Sequence, residues 1–187
     1  SEGHYIDDEQ DGLWSYFSKD GSVAEEITFS GGKRDGRSTI WLTPEEKQEE
    51  KFYRNGKLDG PSTFWENGYR STMTTYKSDS PEGPWVIWFS NSDQIKEQGF
   101  HQKGIREGLT TYYYEDGTMQ REGFFNDGLP DGMWTYWNKK GEKDFDFDFG
   151  SGLQHISLED LVERESTFYK LGEDTPFTGI ITQENPE

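Results

Sequence analysis

Residues 107–128 read EGLTTYYYEDGTMQREGFFNDG, and this stretch decides the fold. An acidic residue and a glycine open it. Thr110 to Tyr114 follow, a run of β-branched and aromatic residues of the kind that favours strands. Asp116-Gly117 then turns the chain, because glycine supplies the positive φ that a tight turn needs. A second strand ends on Phe125, and Asp127-Gly128 turns the chain again. The unit is strand, turn, strand, turn: one β-hairpin.

The unit recurs. Its opening pair stands at Asp11-Gly12, Asp35-Gly36, Asp59-Gly60, Glu82-Gly83, Glu107-Gly108 and Asp131-Gly132, in steps of 24, 24, 23, 25 and 24 residues. Self-similarity at this period marks a stacked array, each unit burying its apolar face against its neighbours. Aligned on the pair, the third position holds Trp14, Ser38, Ser62, Trp85, Thr110 and Trp134. The fifth holds Tyr16, Ile40, Phe64, Ile87, Tyr112 and Tyr136. The sixth is aromatic throughout: Phe17, Trp41, Trp65, Trp88, Tyr113 and Trp137. In a strand, positions three and five share a face and position six takes the other. The second strands end on Phe29, Tyr53, Tyr76, His101 and Phe125, before turns at Gly31-Gly32, Asn55-Gly56, Lys103-Gly104 and Asp127-Gly128. Twelve strands at about 4.8 Å spacing predict an array roughly 55–60 Å long. In the second unit Pro44-Glu45-Glu46-Lys47 replaces the glycine turn, so a longer or irregular hairpin is expected there.

Composition narrows the function. The chain has 187 residues with 37 Asp plus Glu against 19 Lys plus Arg, a formal net charge of −18. Such a charge disfavours nucleic acid and anionic membrane surfaces, both of which need a basic footprint. Only 29% of residues are hydrophobic, but 16% are aromatic, which points to a folded core built of rings rather than to disorder. There is no cysteine, and hence no disulfide, thiolate metal site or cysteine nucleophile. The start at Ser1 rather than Met favours a processed chain of the bacterial periplasm or cell envelope over the cytoplasm.

The pattern acidic-Gly-x-x-x-aromatic-aromatic, turn glycine, aromatic-x-(Asn/Asp/Gly)-Gly resembles MORN repeats. It is closest to the bacterial MORN-variant group, some of whose members are described as antitoxins. Residues 11–32, 59–76 and 107–128 carry the resemblance best, and it covers about residues 11–149. It implies an all-β, elongated array of about six tandem antiparallel hairpins and a scaffold or protein-interaction role, without enzymatic activity or cofactor. The organisation read from the sequence is a lead-in strand over residues 1–10, six hairpin repeats over 11–149, and a C-terminal cap or linker over 150–187.

Beyond Phe149 the pattern breaks. Ser157-Leu158-Glu159-Asp160 has the form of a helix capping box, and Leu158, Leu161, Val162 and Glu165 follow at helical spacing, so a short helix is predicted over residues 158–165. It would cap the array or link it to further hairpins begun by residues 168–169 and 177–181; Thr175-Pro176-Phe177-Thr178-Gly179 resembles the opening of another unit.

The candidate chemistry is sparse. The repeated acidic residues could form a carboxylate ladder for calcium or a basic ligand, but turn chemistry accounts for them more simply. Asp144, Asp146 and Asp148 have a calcium-loop spacing, yet Phe149 and His155 stand where such a loop needs glycine and glutamate, and strand alternation explains the same spacing. His4, His101 and His155 share no ligand spacing. No catalytic residue and no metal ligand is assigned. The candidate ligand or partner surface is the aromatic row Phe17, Trp41, Trp65, Trp88, Tyr113 and Trp137, which either packs or binds. The leading expectation is a protein partner of basic character, drawn by the acidic surface. The alternative is an aromatic-lined site for a glycan or a choline-type ligand of the cell envelope.

Overall fold

A computed structural model describes residues 1–150 and the backbone of residues 155–157, 161–164, 167–170 and 180–182. The first thirteen strands are β1 (Glu2–Ile6), β2 (Glu9–Phe17), β3 (Val23–Ser30), β4 (Lys33–Trp41), β5 (Lys47–Arg54), β6 (Lys57–Glu66), β7 (Tyr69–Lys77), β8 (Ser80–Trp88), β9 (Ile95–Gln102), β10 (Ile105–Tyr113), β11 (Met119–Asn126), β12 (Leu129–Trp137) and β13 (Lys143–Asp148). They form one open sheet in which sequence order is spatial order and every neighbour is antiparallel. The expected twelve strands in about six hairpins become thirteen in a single meander. The thirteenth strand is β1, which pairs with β2; the strands β2–β13 follow as successive hairpins, each hydrogen-bonded to the next in one continuous sheet.

Each acidic-Gly pair sits where its strand bulges against the preceding one. Phe29 pairs with Arg34, and the next partners are Ile27 and Ser38, so the second strand carries two extra residues there. The six glycines have φ from 61° (Gly132) to 130° (Gly60), a region closed to most side chains. Two residues further on, the third-position column is the most buried row of the sheet, from fully enclosed Thr110 to Trp14 at 6% exposure. Trp14, Trp85 and Trp134 form the aromatic core, each with the ring that ends a second strand within 7 Å: Phe29, His101 and Phe125. We call this the tryptophan face. Thr39, Thr111 and Trp88 are buried on the opposite face.

Turns alternate between the two ends of the strands. At one end the loops have two residues, both with positive φ, as at Asn55 (51°) and Gly56 (84°). This is the type I′ geometry that suits a twisted hairpin. The same geometry occurs at Ser78 (49°) and Asp79 (71°), without glycine. At the other end, the Pro44 loop corrects the expectation of a longer hairpin. It joins Trp41 to Lys47 with the same number of residues as the glycine loop joining Phe17 to Val23. Glu46 N–H donates to the Thr43 carbonyl and to Thr43 Oγ1, and Pro44 presets the turn's φ, so no glycine is needed.

Among the described residues the predicted C-terminal helix is absent. Leu161–Arg164 is a strand, β15, antiparallel to β16 (Thr167–Lys170), and His155–Ser157 (β14) pairs in parallel with β17 (Ile180–Thr182). The helical spacing of Leu161 and Val162 yields to the strand partner that Thr167, Phe168 and Tyr169 supply, residue types that favour extended backbone. Residues 158–160 and 175–179, on which the capping box and the further repeat opening fall, lie outside the described residues.

Candidate binding surfaces

Four of the six acidic residues close turns, while Asp131 buries an Oδ1 without a hydrogen-bond partner. Asp35 accepts the Asn55 N–H at 3.0 Å, Glu82 that of Lys103 at 2.7 Å, Glu107 that of Asp127 at 3.1 Å, and Asp11 that of Gly31 at 3.3 Å. Beside each clamp a backbone bond ties the same turn to the residue preceding the acid, as Gly56 N–H to the Arg34 carbonyl at 2.7 Å. The third unit reverses the arrangement: Asp79, in the turn, accepts the Leu58 N–H at 2.8 Å, while Asp59 faces Arg54 at 3.6 Å. These carboxylates are engaged one by one rather than pooled into a site.

The aromatic row lies on the face opposite the tryptophan core, and cations of the chain itself are threaded through it. Lys47 Nζ stands 5.7 Å from the Trp41 ring and 5.5 Å from the Trp65 ring, and the Arg70 guanidinium 4.8 Å from Trp88. Trp88 is buried, Phe17 is exposed at the rim, and Trp41, Trp65, Tyr113 and Trp137 are half-buried. The Tyr113 hydroxyl accepts from Gln98 Nε2 at 2.8 Å. From Trp41 to Trp88 the row is therefore a ladder of alternating rings and cations, a geometry worth about 0.5–1 kcal/mol per exposed contact.

Sequence reasoning missed a second row on that face. Pro84 pairs with Phe100 and Leu109 with Phe124, and Met133 comes next. All five are exposed, Phe124 and Met133 by 56% each. The signal was present in the second position after each acidic residue, but only the half of the sheet from β8 onward fills it and its partners with apolar side chains; Arg37 stands there in β4. Glu122, Asp146 and Asp148 share the face and border this belt, by the alternation of β11 and β13.

Asp144, Asp146 and Asp148 lie on β13, the strand their alternation predicts. Asp146 accepts from Thr135 Oγ1 at 2.9 Å and from Lys143, and both bonds hold its carboxyl below the ordinary range. His101 is shifted down as well, by burial and then by Arg106.

A family model described as the MORN repeat variant matches residues 10–30 and 106–127. These two segments match the MORN-variant repeat. Each matched MORN-variant segment spans a first strand, its turn and a second strand: β2 with β3, and β10 with β11. No curated protein matches the chain at a significant level.

Proposed function

We propose that this MORN-variant sheet is a non-enzymatic scaffold that holds a protein partner of basic character on the face opposite the tryptophan core. The observation that carries the reading is the belt of Pro84, Phe100, Leu109, Phe124 and Met133, five adjacent exposed apolar side chains bordered by carboxylates. A net charge of −18 adds long-range attraction for such a partner. The antitoxin-like form of this reading is an acidic scaffold that masks a basic protein. The aromatic row Phe17, Trp41, Trp65, Trp88, Tyr113 and Trp137 supports the belt from the same face; its engagement by Lys47 and Arg70 argues against choline-type cations as its ligands.

The test is a photocrosslinking residue at Phe124, with another at Tyr16 on the tryptophan face as control, followed by identification of the captured protein. One basic partner is expected at 124 alone. Its purified form should bind at low salt and lose about tenfold or more in affinity between 50 and 500 mM salt. The double variant F100S/F124S should abolish capture while leaving the melting temperature within a few degrees. Equal capture at both positions, or affinity indifferent to salt, would remove the proposal.

A further inference from the structure

Arg121 breaks the electrostatic repeat. The fifth-position row runs through the second strands as Glu25, Glu49, Thr72, Glu97, Arg121 and Phe145. Each glutamate in that row has its own cation. Arg34 lies 3.9 Å from Glu25, Lys51 lies 2.7 Å from Glu49, and Arg106 lies 3.4 Å from Glu97. Arg34 and Arg106 both stand nine residues after their glutamate. In the fifth unit the glutamate's place is taken by Arg121, and the place nine residues on is Pro130. The cation therefore stands where three other units place a glutamate, and it has no ion-pair partner among the described residues. Its guanidinium lies 4.1 Å over the Tyr112 ring and 6.0 Å from Trp134, and its Nε is buried without a hydrogen-bond partner.

Arg121 lines a groove of about 730 Å³ together with Phe89, Tyr112, Tyr114, Lys96 and Lys139. Lys139 Nζ stands 5.8 Å from the Tyr114 ring. Three carboxylates also reach the groove. Glu97 is committed to Arg106, and Asp116 accepts the Thr118 N–H at 2.9 Å, leaving Glu115 against three cations. A neighbouring recess shares Tyr114 and Arg121 and runs on to Tyr136 and Phe145, whose rings stack at 4.5 Å.

We propose that this groove is a binding site for a small organic anion: a carboxylate held by the Arg121 fork, carried on a flat body that lies between Tyr112 and Tyr114. A guanidinium over a ring face can still turn its two terminal NH2 groups to a carboxylate for two parallel bonds. The ring walls recognise the body of the ligand. A polyanion is excluded, because the chain as a whole carries −18 and repels it at long range. The inference is independent of the scaffold reading, since the groove is on the tryptophan face and the apolar belt on the other; either can fail alone.

The experiment titrates the full chain with sodium benzoate, followed by tyrosine and tryptophan fluorescence and by amide chemical shifts. Saturable binding in the millimolar range is expected, with the shifts confined to β9–β11, the Tyr114–Thr118 turn and the residues around Phe89 and Lys139. R121Q should weaken it roughly tenfold or more, the loss of a charge-assisted pair. K139Q should weaken it several-fold. K139Q alters only an exposed loop, so it decides the matter if R121Q fails to fold. Benzylamine, the cation of the same shape, should not bind, and inorganic phosphate should compete only at much higher concentration. No saturation below about 100 mM benzoate, undiminished binding in both variants, equal binding of benzylamine, or phosphate competing as well as benzoate itself would each overturn the assignment.

Discussion

A tryptophan lying across a residue that lacks a side chain is the smallest device in this sheet. Trp14 covers Gly3, Trp85 covers Gly99 and Trp134 covers Gly123. A Cβ on Gly99 would stand 2.8 Å from Trp85 Cζ2 and 2.7 Å from Thr110 Oγ1, both almost fully enclosed. Gly99 has no positive φ, so the substitution tests contact alone. Gly99→Ala should cost about 1–3 kcal/mol in urea unfolding. Combined with Trp85→Ser, which copies the Ser38 and Ser62 cells, it should cost less than the sum of the two single changes. The sequence shows where the tryptophans stand; that each needs a glycine across the strand appears only once register is known. His101 fills a slot that holds Phe29, Tyr53, Tyr76 and Phe125 in other units. Burial and Arg106 place its folded pKa below the ordinary 6.5. The unfolded chain then binds the proton more readily, so stability falls as pH drops from 6.5 toward the folded pKa and is level again below it. His101→Phe should remove that loss while leaving the carboxylate-linked decline at lower pH, as read by thermal melts from pH 7.5 to 4.

The hairpin turns were the most legible elements, because φ is a local property and Asn-Gly or Gly-Gly announces it. The turn at Ser78-Asp79 was not legible for the same reason: without glycine, only the tertiary bond from Leu58 N–H shows why the strain is tolerated. The C-terminal segment misled for the opposite reason, since helical spacing over a few residues cannot compete with a strand partner that lies close in the chain. Turn chemistry was the right reading for Asp11, Asp35, Glu82 and Glu107, but their reach of about twenty residues to the next turn was invisible in a one-dimensional pattern. That reach has a testable consequence. Asp35→Leu strands the Asn55 N–H at a solvent-facing turn and should cost about 1 kcal/mol. Asp35→Asn keeps an acceptor and should cost less than half of that. Hydrogen exchange at Asn55 and Gly56 should accelerate in the leucine variant and leave the β10–β11 turn unchanged, because contacts in this array are between neighbours.

For the molecule as a whole, charge and apolar surface oppose each other. The fold concentrates rings on the tryptophan face and threads the other with carboxylates, among them Glu26, Glu50, Glu122 and Asp146 in one row across β3, β5, β11 and β13. Glu50 is paired with Lys47 and Asp146 with Lys143, while Glu26 and Glu122 have no ion-pair partner among the described residues, so the excess carboxylates behind a formal charge of −18 work against the folded sheet by self-repulsion. Salt screens that repulsion over about 10 Å at 0.1 M. Raising sodium chloride from 20 to 500 mM should therefore raise the melting temperature by several degrees, whereas a protein stabilised by its surface ion pairs would respond the other way. The same titration should weaken the partner bound to the Phe100–Phe124 belt, because screening acts there on attraction between unlike charges. The two responses have opposite sign within one salt series. If complex and melting temperature weakened together, loss of the folded sheet would explain the loss of binding, and charge would have no separate part in recognition.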